Sequence, residues 1–259
     1  MNDHILMRVE QGVAHITLND PPSLNAITMD MASDLVSAFA TAEAAAHVII
    51  LSGSGRAFCS GANLTGGAGL GSDSSDPASP LRTHFDPVIA AIRDLSIPLI
   101  TRVQGPAVGY GASLALAGDI IIASDSAYFQ QIFSRIGLVP DGGIAFTLVQ
   151  AIGRVRATGM MLLGDRISAN EALAWGLITQ VVPADAIDES VATIAEKLAT
   201  GPTLALGRTR QMAWAACSGD LDAAFALEIA NQRDMLSTQD HRNALAAFAE
   251  KRVPVFQGL

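Results

Sequence analysis

The sequence predicts an α/β fold with parallel strand pairing. Two observations carry this: strand-like apolar runs alternate with helical periodicities through the first half of the chain, and Gly-, Ser- or Pro-rich breaks punctuate them. A third is size, since 259 residues, 50% of them hydrophobic, are enough to bury a large core.

Taken in order, residues 5–9 and 13–18 read as strands joined by a turn at Gln11-Gly12, and Pro21-Pro22-Ser23 breaks the chain. Thr28 is placed to cap a helix with Met31, Leu35, Val36 and Phe39 on one face. Residues 47–51 read as a buried strand closed by Ser52-Gly53-Ser54-Gly55. Residues 65–80 are rich in Gly, Ser, Asp and Pro and read as a mobile surface loop, long enough to serve as a lid. Residues 82–95 read as helix, 98–103 as strand, 104–111 as a glycine-rich loop, 113–117 as the start of a short helix and 119–123 as strand. From Ala145 the pattern turns helical, with segments at 147–152, 154–162, 169–175, 186–199, 203–217, 221–236 and 240–249. One boundary falls near Gly201, dividing a core domain (1–200) from a helical C-terminal region (201–259).

Composition excludes several classes. A net charge of −9 argues against nucleic acid as a partner, because binding its phosphates needs a basic face. No apolar run reaches the roughly 18 residues of a membrane helix. The N-terminus lacks the basic and apolar regions of a signal peptide. Two cysteines, Cys59 and Cys217, indicate no disulfide framework and fit a reducing cytoplasm. The five histidines are scattered, so no metal site is expected.

Three motifs carry candidate chemistry. The first, Gly55-Arg56-Ala57-Phe58-Cys59-Ser60-Gly61-Ala62-Asn63-Leu64, has small residues at 60–62 that let a ligand approach the backbone; an ordinary strand-to-loop turn explains it equally well. The second runs Gln104-Gly105-Pro106-Ala107-Val108-Gly109-Tyr110-Gly111-Ala112-Ser113. It fails as a dinucleotide fingerprint, because Leu114 replaces the last glycine. It approaches a nucleophile elbow at Ser113, although the sole histidine downstream is His241 in the helical tail. It also suits an oxyanion hole, which needs only backbone N–H groups. The third, Gly137-Leu138-Val139-Pro140-Asp141-Gly142-Gly143, is either an exposed turn or a proton-exchanging Asp141 held in an apolar mouth by Phe133, Val139 and Phe146. Asp165, Glu171 and Asp185 read as helix caps or dipole partners, Cys59 as a small packed residue, His15 as lying on the polar face of its strand, and Trp175-Gly176-Leu177 as a helix end with a packed aromatic.

Together with Asn25-Ala26-Ile27-Thr28, the stretch Ile167-Ser168-Ala169-Asn170-Glu171-Ala172-Leu173-Ala174-Trp175-Gly176-Leu177-Ile178 and the closing Ala247-Phe248-Ala249-Glu250-Lys251-Arg252-Val253-Pro254, these motifs resemble the enoyl-CoA hydratase/isomerase (crotonase) superfamily over nearly the whole chain. The resemblance implies a spiral of ββα units with a helical C-terminal trimerisation region, assembled as a homotrimer or as a hexamer of two trimers. It implies an acyl-CoA thioester substrate and no separate cofactor. By position, the oxyanion donors would be the amides of Ala62 and Tyr110. Leu24, Ala26, Ser60 and Leu64 would line the coenzyme A path, and Phe248 and Lys251 would reach the nucleotide end from a neighbouring subunit.

The departures from the family pattern bear on the reaction. Hydratases of the family carry glutamates where this chain has Ser113 and Phe133, and Asn63 stands where an aspartate is common. Asp141 remains. Residues 129–141 are most similar to 1,2-epoxyphenylacetyl-CoA isomerases, which favours an isomerase with Asp141 as acid/base. An atypical hydratase, a weakly active acyl-CoA binder and a serine acyl hydrolase using Ser113 stay open.

Overall fold

Alternation on the first hairpin decides which way the sheet faces. The computed structural model describes residues 4–64 and 75–258. It opens with β1 (Ile5–Glu10) and β2 (Val13–Leu18), paired antiparallel across a turn in which Gln11 and Gly12 both have positive φ. Ala14, Ile16 and Leu18 are buried, whereas Val13, His15 and Thr17 are partly exposed. His15 therefore lies on the more polar face, as expected, and partial burial followed by the charge of Arg8 lowers its pKa.

The chain continues through α1 (Met29–Ala45), β3 (Val48–Gly53), α2 (Asp86–Asp94), β4 (Leu99–Val103), β5 (Ala107–Val108), α3 (Tyr110–Leu116), β6 (Ile120–Ser124), β7 (Tyr128–Gln130) and α4 (Ile144–Leu163). It ends through β8 (Arg166–Ser168), α5 (Ala169–Ala174), β9 (Gln180–Val182), α6 (Ile187–Ala199), α7 (Thr203–Ala216), α8 (Leu221–Leu236) and α9 (Gln239–Ala249). The main sheet has the order β1-β2-β3-β4-β6-β9, parallel from β2 onward. A smaller sheet, β5-β7-β8, lies beside it. This is the expected mixed α/β architecture with a helical C-terminal region.

Both faces of the main sheet are covered, which is why its strands read as nearly continuous apolar runs. Ile49, Leu51 and Leu99 join a large core with Met31, Leu35 and Phe39 of α1. Val48, Ile50, Ile100 and Ile122 point the other way and pack under Ile187, Val191 and Ala195 of α6. Thr28 caps α1 as the sequence indicates, its hydroxyl accepting from the Met31 amide at 3.2 Å. Helix α4 turns at Gly153 (φ 76°, ψ 157°), so the expected segments 147–152 and 154–162 are its two arms.

The structure corrects several local expectations. Helix α3 begins at Tyr110, not Ser113, because Gly109 (φ 54°, ψ −127°) makes the turn into it. The short strands β5, β7, β8 and β9 are absent from the sequence reading. Ten residues of the expected 65–80 lid, 65–74, lie outside the described residues. Glu171 does cap α5, in a reciprocal box with Ser168. Asp165 instead faces Arg135 at 3.5 Å, and α6 has no side-chain cap at its start near Asp185. Trp175 and Gly176 close α5 as expected, the Leu177 amide donating to Ala172 O at 2.8 Å.

Helix α7 is tied to the core by an almost fully buried arginine. Arg210 donates to Asp119 at 2.7 Å, to the carbonyls of Arg93 and Leu95 at 2.8 Å, and to that of Ile92. Asp119 also accepts from the Leu99 amide at 2.7 Å. Among the described residues no helix is long and apolar enough to cross a membrane, and no cluster of three or more metal-ligating side chains forms.

Candidate active site

Two consecutive residues in left-handed backbone, Leu24 (φ 58°) and Asn25 (φ 59°), set the first wall of the site. Such a pair needs external support. Asn25 supplies it from a fully buried position: its Oδ1 accepts from the Asp20 amide, and its Nδ2 lies within 2.9–3.2 Å of the carbonyls of Ser54, Ala57 and Phe58. Gln104 adds a second clasp, donating to Gly53 O and Ala57 O at 2.6 Å. The sequence reading assigned Asn25 and Gln104 no role. The Leu-Asn pair after a Pro-Pro break was the available signal, because Asn tolerates left-handed backbone better than most residues.

With that wall fixed, residues 57–62 and 104–111 pack main chain against main chain. Phe58 and Cys59 donate to Pro106 O, Val108 donates to Cys59 O at 2.9 Å, and Cys59 bridges Ala107 in parallel. Glycine is required at the contact points. A Cβ on Gly111 would meet Cys59 O at 2.4 Å, and one on Gly105 would meet Arg56 O at 2.1 Å.

This packing brings the two expected amide donors together. Ala62 bridges Ile27, with Gly61 O accepting from Ile27 and the Asn63 amide donating back to Ile27 O, both at 2.8 Å. That pattern leaves the Ala62 N–H facing away from Ile27. A Cβ on Gly61 would sit 3.0 Å from Val108 O and 3.7 Å from the Tyr110 nitrogen, so the segment carrying Ala62 lies against the start of α3. As the first helical residue, Tyr110 has an amide that no helical carbonyl can accept. Neither the Ala62 nor the Tyr110 amide donates to an acceptor among the described residues.

Asp141 stands on the turn that faces α3. Its pKa is raised to about 6, first by burial and then by the charge of Asp86, with its own backbone amide pulling slightly the other way. Its Oδ1 is buried and has no hydrogen-bond partner. Gly142 presses the turn onto α3, since a Cβ there would meet Ser113 Cβ at 2.9 Å and the Tyr110 ring at 3.1 Å. The Tyr110 hydroxyl is fixed to Phe85 O at 2.8 Å, and the two rings meet edge to face at 5.0 Å. Asp86, the next residue, is a carboxylate that the sequence reading overlooked. It meets the site only through tertiary packing, so no local pattern announces it.

The apolar mouth around Asp141 is partly different from the one expected. Phe133 is buried, and its ring reaches toward Gly109, where a Cβ would lie 3.8 Å from it. Val139 does not contribute: it is 80% exposed, directed outward ahead of Pro140. Phe146 is exposed and faces a separate cleft lined by Leu116, Asp119 and Trp214. The Tyr110 ring takes their place.

The structure gives no support to Ser113 as a nucleophile. It is 2% exposed, and its hydroxyl lies 3.0 Å from Asp141 O and 3.4 Å from Gly109 O, both carbonyls and neither a base. Cys59 is a packed residue, as read, its thiol pushed up to about 12 by burial.

The expected coenzyme A residues fall into two groups. Leu24, Ala26 and Ser60 cluster: the Ser60 amide donates to Leu24 O at 3.0 Å, the Ser60 hydroxyl to Ser23 O at 2.9 Å, and the Ala26 amide to the Ser23 hydroxyl at 3.1 Å. Leu64 follows on the exposed rim. Phe248 and Lys251 are at and just beyond the end of α9, which packs beside α8. Phe248 is 85% exposed, and the Lys251 ammonium has no partner among the described residues. Arg242 and Arg252 are engaged, with Gln239 and Glu250 respectively.

Comparison with known proteins agrees with this architecture. The family model for Enoyl-CoA hydratase/isomerase matches residues 8–258. A Rhodobacter capsulatus protein named "Probable enoyl-CoA hydratase" is 39% identical over 98% of both chains. The 1,2-epoxyphenylacetyl-CoA isomerase of Escherichia coli is 38% identical over the full length of both. The crystal structure of an enoyl-CoA hydratase from Bacillus anthracis superposes with a TM-score of 0.93 at 29% identity, covering 99% of this chain and all of the other. By sequence and by fold, this chain belongs to the enoyl-CoA hydratase/isomerase family, within the crotonase superfamily.

Proposed function

We propose that the protein is an acyl-CoA isomerase in which the amides of Ala62 and Tyr110 hold the thioester carbonyl and Asp141 moves a proton between carbon atoms. The single observation that carries this reading is a half-buried carboxyl, its pKa raised to about 6, with one oxygen unpartnered, on a turn that packs against the helix beginning at Tyr110.

Removing a proton next to a thioester carbonyl places charge on the carbonyl oxygen. Two fixed N–H donors act on that charge as it develops, and losing one such donor typically costs about 3–4 kcal/mol of activation free energy. One carboxylate serves both ends of a proton shift, first as base and then as acid. Buried Ser113 and apolar Phe133 offer no carboxylate where the resemblance places hydratase glutamates. Leu24, Ala26, Ser60 and Leu64 would follow the coenzyme A chain, and Phe248 and Lys251 would meet its nucleotide end from a neighbouring protomer of a trimer formed through residues 201–259. No cofactor beyond the substrate's own coenzyme A is invoked.

A second reading, an atypical hydratase, is favoured by one observation: the Asp86 charge acts on Asp141, and paired carboxylates can orient a water. Incubating the protein with aliphatic enoyl-, aryl- and epoxide-type CoA thioesters, followed by ultraviolet absorbance and mass spectrometry, separates the possibilities. An isomerase yields a new spectrum at unchanged mass, a hydratase a mass gain of one water, and a non-catalytic binder neither. Asp141→Asn is expected to lower turnover by about 10²–10⁴-fold. Full turnover in that variant would remove the assignment.

A further inference from the structure

We propose that Ser113 is the positioning residue for Asp141, holding its turn at a fixed distance from the Tyr110 amide. This rests on the isomerase reading of the same site and adds to it a residue whose side chain has no part in the chemistry.

The geometry is a closed loop of short links. Tyr110 and Ser113 are three residues apart in α3, so they lie on neighbouring faces of one turn. The Ser113 hydroxyl has a single proton to give, and of its two neighbouring carbonyls Asp141 O is nearer, at 3.0 Å against 3.4 Å for Gly109 O. The bonded atom is the main-chain carbonyl of the very residue whose side chain is the proposed acid/base. Gly142 allows the approach, since any Cβ there would collide with Ser113. The path from the thioester-binding amide to the proton-transfer carboxyl is therefore one helical turn, one hydrogen bond and one residue.

Such a short path makes placement sensitive to the hydroxyl. With Ser113 reduced to alanine, the Asp141 carbonyl keeps only the Ile144 amide of its own turn, at 3.4 Å, and loses its hydrogen bond to α3, leaving the packing of Gly142 alone to hold the turn there. Displacement of a reacting group by about 1 Å can cost on the order of 10²-fold in rate. Thioester binding, which uses other atoms, has no reason to change.

The test is steady-state kinetics of Ser113→Ala and Ser113→Cys on whichever CoA thioester the panel identifies, with melting temperatures measured in parallel. Ser113→Ala is expected to lower kcat by roughly 10–10²-fold while KM stays within about twofold. Ser113→Cys nearly keeps the volume but weakens the donor, so it falls between alanine and serine; it carries the test if the alanine variant does not fold. An unchanged kcat would overturn the proposal. So would a loss of kcat that tracks a rise in KM and a fall in melting temperature, because that marks a merely structural role. Asp141→Asn serves as the reference. Full turnover there removes both readings, whereas inactivity there with normal Ser113→Ala and Ser113→Cys removes only this one.

Discussion

A carboxyl whose pKa is raised to about 6 is mostly ionised, and so ready to accept a proton, only above that pH. The reaction proposed for Asp141 begins with proton abstraction, so kcat/KM should rise with pH through a midpoint near 6 and fall away as the medium becomes more acid. Burial is the larger cause of the raised value and the Asp86 charge the second. Asp86→Asn removes the second cause and leaves the first, so its midpoint should move downward toward the ordinary carboxylate range. Asp86 is exposed, and raised salt should reproduce part of that movement in the unmodified protein by screening its charge. A pH–rate profile recorded at two ionic strengths checks both expectations; a midpoint indifferent to Asp86 and to salt would remove Asp86 from the site.

At the scale of elements, the junction between α7 and the core rests on the Arg210–Asp119 pair and three carbonyls. Replacing Arg210 with alanine leaves the partly accessible Asp119 carboxylate without its cation and those carbonyls without the guanidinium donors. Because Asp119 keeps access to water, the expected loss is at or below the lower end of the roughly 3–5 kcal/mol typical of breaking a buried pair, measurable by urea unfolding. Neither the pair nor its partners were legible in the sequence, because Arg210 and Asp119 are 91 residues apart in the chain. Local signals fared better where one element contains them. Thr28 and the apolar stripe behind it located α1, and the helical pattern at 169–175, with Glu171 in its first turn, located α5. The start of α3 was missed because it enters from a glycine in unusual backbone instead of a capping side chain. The smaller sheet was missed because strands of two or three residues are too short to show alternation. In the site, the segments carrying Ala62, Tyr110 and Asp141 were readable from their motifs. Which neighbours surround Asp141 depends on how its turn is aimed, so Val139 and Phe146 were misplaced and Asp86 went unseen.

At the scale of the whole molecule, large apolar side chains stand exposed on α4 (Val155, Leu162, Leu163), on α8 (Leu221, Phe225, Ile229, Leu236) and along the tail (Phe248, Val253, Val255). A monomer seldom leaves so much apolar surface in water. Light scattering should therefore report a mass about three or six times that of the 26.9 kDa chain, and Lys251→Ala should weaken CoA-thioester binding without changing that mass. A monomer at micromolar concentration would rule out the shared nucleotide site. The interlocked glycine loops around Ala62 and Tyr110 have a wider consequence. A main-chain N–H survives every substitution except proline, whereas Ser113, Phe133 and Asp141 can each be exchanged in a single step. On the proposed assignment of these amides, a lineage built on this scaffold can trade one transformation for another by editing three side chains, while its grip on the ligand is inherited with the path of the backbone.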